Sequence, residues 1–538
     1  MLTTRTAPRV LTTSRLDPDY YAPIHLQDEE RLRSFGCFDL GACGRFFVGP
    51  FGSELPGSLY RTTGIPLLRV SNVGSLDLVE DNLVFLDELD HKKLSASEVI
   101  PGDLLIVKAS VGEKVCRFPS RFARGNITQH IIGVRPSGHA DMDYVAAVLF
   151  SPIGRRQLAR RSLGSIIQYL GVVDARSVLI PSVAPLAQRY IGDKVRQAER
   201  LRARAQRLEG AARRAVALLV RSRGDADSAM GELKSVLGGA TPFEFRANEQ
   251  AARGSTLQSR VSSDLLLGRL NAEAYQEEFL DNDRILRASG WTLKPLGELV
   301  MAPINNSIRG VTEHLTGNHQ GVPMFRPADI EGLWMSESSA PRVDALFEQE
   351  HAKARVLPGD IVLAIAGTVA AAGRIGETVS YGNINGSSAR IRIGGPLRGF
   401  ALFFFESIYG RRSLMRQAVG SVQKHLNLED LPDVRIPVPE PGYCTPFEQV
   451  LVLSGRARHH AADLITAATQ LVEGLINGTI SEREVVHAAS SMDAKTPPAD
   501  AALLRQLKDP ISKRLLFPDM DALVAAISEA DAKVGGGD

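Results

Sequence analysis

The sequence predicts a mixed α/β protein: two similar domains separated by two long antiparallel coiled-coil helices, arranged as a pseudo-two-fold internal repeat. Three observations predict this. The chain resembles itself at a spacing of 254–257 residues, both copies carry short apolar runs entered by Pro-Gly-Asp, and a long apolar stripe of helical spacing closes each copy. At 538 residues the chain is too long for one ordinary domain. With 44% hydrophobic and 23% charged residues it has the composition of a folded protein, so disorder is not the default.

The repeat opens with Arg15-Leu16-Asp17 and Tyr20-Tyr21, answered by Arg269-Leu270-Asn271 and Tyr275. Leu32-Arg33 and Gly36 return as Leu286-Arg287 and Gly290. Gly64-Ile65-Pro66 and Arg69 return as Gly321-Val322-Pro323 and Arg326. Pro101-Gly102-Asp103-Leu104 returns as Pro358-Gly359-Asp360-Ile361, and Asn126-Ile127 as Asn383-Ile384. Gly164-Ser165, Leu170, Asp174, Val178 and Ile180-Pro181 return as Gly420-Ser421, Leu426, Asp430, Val434 and Ile436-Pro437. A spacing that drifts so little over the whole copy points to duplication.

Leu104-Leu105-Ile106-Val107 and Ile361-Val362-Leu363-Ala364 read as buried strands behind a Pro-Gly-Asp turn. Helical patterns follow at residues 143–161 and 398–418. The first long helix is expected over about residues 186–221. Its stripe is Ile191, Val195, Ala198, Leu201, Ala205, Leu208, Ala212, Ala215 and Leu219, with one slip between Ala198 and Leu201. The second is expected over about residues 447–477, with Val450, Leu453, Ala457, Ala461, Leu464, Ala468, Leu471 and Leu475 on one face. Small Ala residues in both stripes permit close approach. A helix of about 35 residues spans roughly 50 Å, enough to hold two domains apart. Residues 224–259 read as a linker, for want of strong periodicity. The tail after Glu482 contains Thr496-Pro497-Pro498 and predicts a short amphipathic helix over residues 519–532.

A net charge of +2 excludes a uniformly basic or acidic protein, but not a local basic patch. Four cysteines exclude a disulfide scaffold. With no CxxC or HxxxH pairing, Cys37, Cys43, Cys116 and Cys444 read as reduced thiols rather than metal ligands. No run of eighteen apolar residues predicts a membrane span, and residues 1–15 lack the apolar core of a secretory signal, so the cytoplasm is expected. No P-loop string, no Asn-Pro-Pro-Tyr tetrapeptide, no Gly-rich cofactor loop and no Gly-x-Ser-x-Gly occurs. ATP hydrolysis, autonomous DNA methylation and serine hydrolysis are therefore not expected. Asp103 with Glu113-Lys114 could suggest a nuclease, but the second copy lacks the Glu-Lys pair and Pro-Gly-Asp fits a turn. His459-His460 reads as a solvated or interhelical pair rather than a ligand set.

Polar residues suited to nucleic acid cluster in both copies. In the first, Lys108, Arg117, Arg121 and Arg124 lead to Asn126 and Gln129; in the second, Asn383, Asn385 and Arg390 occupy the matching region, and Arg326 repeats Arg69. Arg pairs bidentately with guanine edges, Asn and Gln with adenine edges, and Arg and Lys also hold phosphates. The competing reading is a turn in which Asn bonds its own backbone. The first long helix carries nine Arg and Lys from Arg189 to Arg214. Such a run suits a solvated face, or contact with phosphates or an acidic partner.

The order domain, long helix, domain, long helix resembles the DNA-specificity subunit of type I restriction–modification systems. The repeated Pro-Gly-Asp and Asn-Ile strings carry the resemblance. So do the endings Ile180-Pro181 and Ile436-Pro437, with Gln188 and Gln449 near the helix starts. It implies a first target recognition domain at residues 1–184, a spacer helix at 185–222 and a linker at 223–268. A second target recognition domain follows at 269–442, then a second spacer helix at 443–482 and a tail at 483–538. It further implies two half-sites in double-stranded DNA and no catalytic residue or cofactor in this chain. Two methyltransferase subunits would use S-adenosylmethionine on adenine, and a restriction subunit can join. The residues leave two other classes open: a coiled-coil scaffold without DNA binding, and a nuclease with an unrecognised site.

Overall fold

The computed structural model describes residues 17–238, 272–493 and 498–531, apart from 81, 109–113, 165–168, 307–313, 317–320, 421–422 and 511–512. The opening Arg15-Leu16 and Arg269-Leu270-Asn271, Glu113, Ser165, Ser421, Thr496-Pro497 and most of the expected linker lie outside these residues. The chain divides into two compact units, Met1–Leu201 with His460–Ile527, and Arg202–His459 with Ser528–Asp538.

In unit one, an antiparallel sheet runs in the order Gly44–Val48, Ile131–Pro136, Leu104–Val107, Val115–Arg117. Leu104–Val107 is buried at every position, as a continuous apolar run should be. A mixed sheet runs Val84–Leu86, Ile65–Leu68, Gly125–Ile127, Glu98–Val99, with Leu67 opposite Asn126 in its parallel pair. Leu68, Val99, Leu105, Val107, Cys116 and Ile127 form the core between the two sheets. The Pro-Gly-Asp turn has Gly102 at φ +92, a conformation only glycine adopts without strain. The fully buried Asp103 carboxylate accepts from the Ile100 N–H at 2.9 Å and from Arg135 at 2.8 and 3.2 Å. The helical pattern over 143–161 is two helices, Met142–Phe150 and Pro152–Arg161. Ser151 caps the second by accepting from the Gly154 N–H, and Pro152 presets its first turn.

In unit two, one sheet runs Ile330–Glu331, Trp334–Met335, Ala372–Arg374, Ile361–Ala364, Ser388–Ile391. The other runs Leu315–Thr316, Arg342–Val343, Val322–Phe325, Gly382–Ile384, Arg355–Val356, with Met324 opposite Asn383 in its parallel pair. Gly359 has φ +87, and Asp360 accepts from the Leu357 N–H at 2.8 Å and from Arg392 at 2.6 and 2.7 Å. The pattern over 398–418 is again two helices, Leu397–Glu406 and Ile408–Met415, broken at the capping Ser407.

One pair has its acid and its base exchanged between the units. In unit one, Asn126 Nδ2 donates to Leu94 O and Ser97 Oγ, so its Oδ1 accepts and the proton lies on His91 Nδ1, 2.6 Å away. His91 Nε2 lies 3.0 Å from Glu98. In unit two, Glu348 stands at the matching helix position and takes both ends of Arg355 on the strand, at 2.6 and 2.7 Å. Glu98→Arg alone is expected to destabilise the Gly125–Ile127 strand by about 1–3 kcal/mol, by removing a partner of a buried group. Adding His91→Glu, which copies the unit-two arrangement, should recover most of the loss. Hydrogen exchange at Gly125–Ile127 reads both effects. No recovery in the double variant would show that the two pairs are not equivalent.

The long helices are Pro185–Arg221 and Pro441–Asn477, each of 37 residues and so about 55 Å long. Every stripe position is buried except Leu453, which is half-buried. In unit two, Leu208, Ala212, Ala215 and Leu219 share a core with Cys444, Phe447, Val450 and Leu451. The end of one helix thus meets the beginning of the other, an antiparallel pairing. The buried Glu209 accepts from both sides of the Arg458 guanidinium, at 2.8 and 2.9 Å, and from Trp334 Nε1 at 3.2 Å.

The expected linker begins differently. Ala226–Gly238 is a helix that sets Ala226, Ala229, Met230, Leu233 and Val236 into the unit-two core. These positions do follow a helical period, but weak apolar residues and Gly231 mute it. The tail is folded too, as helices Glu482–Asp493, Pro498–Leu504 and Met520–Asp531. In unit one its Asp500 takes Tyr190 and the buried Lys194, and its Arg514 takes Asp463 at 2.8 Å. Among the described residues no helix is long and apolar enough to cross a membrane.

Candidate nucleic-acid interface

The two ends of the antiparallel sheet in unit one differ in what they do. At the Leu104 end, Arg117 pairs with Asp143 at 3.0 Å, and Asp143 also holds Arg196 of the first long helix at 2.7 Å. Burial works against the Arg196 charge, but the carboxylates of Asp141, Asp143 and Asp193 outweigh it and raise its pKa. Beside them burial, then Asp143, pushes the Glu199 carboxyl up. This end is committed to fixing the domain on its helix.

The Val107 end is built for something else. The Lys108 N–H donates to His130 O and the Leu170 N–H to Lys108 O, both at 2.8 Å. These bonds bring a turn from the neighbouring strand and a small hairpin against the strand end. The hairpin is closed by reciprocal bonds between Leu163 and Tyr169 at 2.9 and 2.7 Å, with Gly164 at φ +117. Lys108 Nζ lies 4.6 Å above the Tyr169 ring, a cation–π contact. Gln129 Nε2 lies 3.1 Å from His130 Nε2. Leu163 is 52% exposed and Tyr169 39%.

Unit two forms the same edge with other chemistry. The Ile365 N–H donates to Ser387 O and the Leu426 N–H to Ile365 O, both at 2.9 Å. Val419 and His425 close the hairpin at 2.8 and 2.9 Å, with Gly420 at φ +104. Asn385 Oδ1 accepts from the Ser387 N–H and Ser388 Oγ, and Asn306 Nδ2 donates to Gly386 O at 3.4 Å. A cation, an aromatic ring and an amide mark the edge of unit one. Amides, a hydroxyl and an imidazole mark that of unit two. Of these, Tyr169 and His425 are exposed and Gln129, Asn306 and Asn385 half-buried, so the rings and amides can meet base edges, whereas Lys108 and Ser388 are buried.

The residues expected to contact nucleic acid are thus dispersed. Lys108 and Gln129 share the outer edge of unit one, and Asn385 lies on that of unit two. Arg117 sits at the opposite sheet end. Arg121 pairs with Glu80 at 2.6 Å and Arg124 with Glu88 at 2.8 Å, exposed pairs that contribute little to stability. Arg326 holds the buried Asp329 with two bonds of 2.9 Å and caps its own turn. Four expectations need correcting on placement. Lys108 is buried, 8% exposed, with its ammonium held against the Tyr169 ring. Asn126 and Asn383 are fully buried in mid-strand, and Asn383 Nδ2 donates to His351 O. Arg390 is buried and donates to the carbonyls of Lys353, Arg355 and Pro303, while burial and then Arg392 lower its pKa. Side chains so enclosed brace the sheets and do not present themselves at a surface. Tyr169, His130, Asn306 and His425 were not anticipated. The signal for two of them was the repeated Gly164 and Gly420, which place Tyr169 and His425 alike.

Cys43, Cys116 and Cys444 are buried and Cys37 half-buried, all as free thiols. Burial pushes Cys43 up to about 11 and Cys444 to about 12, which keeps them protonated and unreactive at neutral pH. Among the described residues no group of three His, Cys, Asp or Glu could hold a metal ion.

No family model and no curated protein matches the chain. Solved structures do match it. Three structural neighbours come from type I restriction–modification systems. The S subunit from M. genitalium is 12% identical over 90% of this chain and 96% of its own, with a TM-score of 0.34. The HsdS subunit from Thermoanaerobacter tengcongensis is 16% identical over 83% and 97%, with a TM-score of 0.27. A chain from a structure of type I complex assembly and conformational transition is also 16% identical, over 83% and 98%, with a TM-score of 0.27. At such identities, and with TM-scores below 0.5, the likeness carries no argument about function.

Proposed function

We propose that this chain is the DNA-specificity subunit of a type I restriction–modification system, reading a bipartite, asymmetric site in double-stranded DNA. One observation supports this above the rest: the same backbone devices recur at 254–257 residues while the outer edges differ. Gly36 and Gly290, Gly64 and Gly321, Gly102 and Gly359, and Gly164 and Gly420 all have positive φ. The Asp103–Arg135 and Asp360–Arg392 pairs and the Ser151 and Ser407 caps recur with them. A framework held constant under two different polar edges suits a duplicated reader of two different half-sites.

On this reading residues 1–184 and 269–442 are the two target recognition domains, in pseudo-two-fold relation. The long helices are the antiparallel spacer and the docking surface for two methyltransferase subunits. Those partners bring S-adenosylmethionine and the adenine chemistry; a restriction subunit brings cleavage; this chain contributes recognition alone. Half-sites one helical turn apart lie about 34–36 Å from each other, a separation within the length of either helix.

Mapping methylated adenines in the host genome with and without the gene tests the reading. Loss of one bipartite motif is expected, and an unchanged methylation map overturns it. Exchanging residues 15–180 with those of a relative should then alter one half of the motif and leave the other intact. A change in both halves counts against independent reading domains.

A further inference from the structure

Phe51 is 72% exposed, the most exposed aromatic ring among the described residues of unit one, and its backbone is tightly held. The strand before it ends at Val48, opposite Ile132. Gly49 abuts the Ile127 carbonyl so closely that an added Cβ would lie 2.0 Å from it. Behind the ring the chain forms a short turn, with the Glu54 N–H donating to Phe51 O at 2.9 Å and the Leu55 N–H to Gly52 O at 3.2 Å. Leu55 is buried and packs with Leu67 and Leu86. The ring is therefore presented by a pinned backbone. It contributes almost nothing to the core while it stays in water.

Its position gives it a use. Val48 neighbours Ile132, Ile131 neighbours Val107, and Lys108 follows. Phe51 is three residues past Val48 and two past Gly49, which abuts Ile127 and Thr128 just before Gln129, so it lies beyond the same sheet end as Lys108, Gln129 and Tyr169. An exposed aromatic face at the sheet end that carries the Gln129 amide and the Tyr169 ring suits a nucleic acid, whose bases offer both edges and π-faces. Apolar side chains that enter duplex DNA do so between base pairs, and pyrimidine–purine steps open most readily.

We propose that Phe51 is a wedge that stacks into a flexible base step of the half-site read by unit one. This rests on the reading of the chain as a DNA-specificity subunit. Phe51 then adds affinity through the ease with which the step opens, while Gln129 supplies a contact to base edges. It touches DNA and takes no part in methyl transfer.

The test uses the full chain in a host lacking its own copy, and the complex purified from it. Phe51→Ala removes the ring from an exposed position and leaves the core intact; Phe51→Trp keeps a stacking surface. Duplexes carrying the mapped motif are titrated at two salt concentrations, and partner subunits in each complex are counted by mass. We expect Phe51→Ala to weaken binding about tenfold, with no change in subunit count or in salt slope, and Phe51→Trp to stay within about twofold of the natural protein. Placing an abasic site at the opened step should weaken the natural complex and leave Phe51→Ala nearly unaffected. Full affinity in Phe51→Ala overturns the wedge. A lost partner subunit overturns it as well, by making Phe51 a protein contact. If deleting the gene leaves methylation unchanged, the specificity reading falls and the wedge with it. If deletion erases the motif while Phe51→Ala preserves binding, the wedge alone falls.

Discussion

Asp360→Ala is expected to open the sheet of unit two by about 3 kcal/mol, and Asp103→Ala to do the same in unit one. Each carboxylate is buried and accepts three hydrogen bonds, one from the turn it closes and two from an arginine on a neighbouring strand. Removing it frees a backbone N–H and leaves Arg135 or Arg392 without its charge partner. Both arginines are about a quarter exposed, so water recovers part of the loss. The effect should be local. Hydrogen exchange should rise in Ile361–Ala364 and Ser388–Ile391 after Asp360→Ala, with Leu104–Val107 unchanged, and conversely for Asp103→Ala. Asp360→Asn keeps an acceptor for Leu357 and should fall between. Unchanged protection in the damaged unit would falsify the structural role. A folded Asp360→Ala chain that lost a metal-dependent cleavage present before the change would revive the nuclease alternative.

The parts of this fold that were legible in the sequence are those fixed by local rules. Leu104–Val107 and Ile361–Ala364 are apolar at every position, and the Pro-Gly-Asp before them needs glycine at positive φ. The two stripes of the long helices are one-dimensional patterns, and all but one of their positions proved buried. What escaped notice depends on tertiary context. Asn126 and Asn383 look like turn residues, since Asn is rare in strands, yet each is buried in mid-strand with its amide bonded within its unit. Arg117, Arg121 and Arg124 are close in sequence to Lys108, but Val115–Arg117 runs antiparallel to Leu104–Val107 and delivers Arg117 to the opposite end. Tyr169 and Lys108 lie 61 positions apart, and they meet through the Leu170–Lys108 bond and the cation–π contact. An edge assembled from three separated segments leaves no local pattern. Its one trace was the recurrence of Gly164 at Gly420.

Inserting four residues after Gln206 in the first long helix is expected to abolish methylation or move the gap between half-sites. The insertion advances everything beyond it by about 6 Å and rotates it by about 40°. The rotation is small, so the apolar stripe still faces its neighbour and the helix itself should survive. The shift is the damaging part. Glu209 is buried and takes Arg458 with two bonds and Trp334 with a third, and one turn of displacement separates all of them. Stranding a buried carboxylate costs about 3–5 kcal/mol, and the apolar contacts of Leu208, Ala212 and Ala215 shift with it. A matching insertion after His459 in the second helix returns Arg458 to Glu209, because the two helices run antiparallel there. The paired variant should therefore assemble where the single one fails. If the helices set the separation of the reading domains, it should recognise a motif whose gap is longer by one or two base pairs, as about 6 Å is just under two steps of about 3.4 Å. Sequencing methylated adenines reads the gap directly. A paired variant that methylates fully at the original spacing would show that something other than these helices measures the distance, and with it the spacer role would be lost.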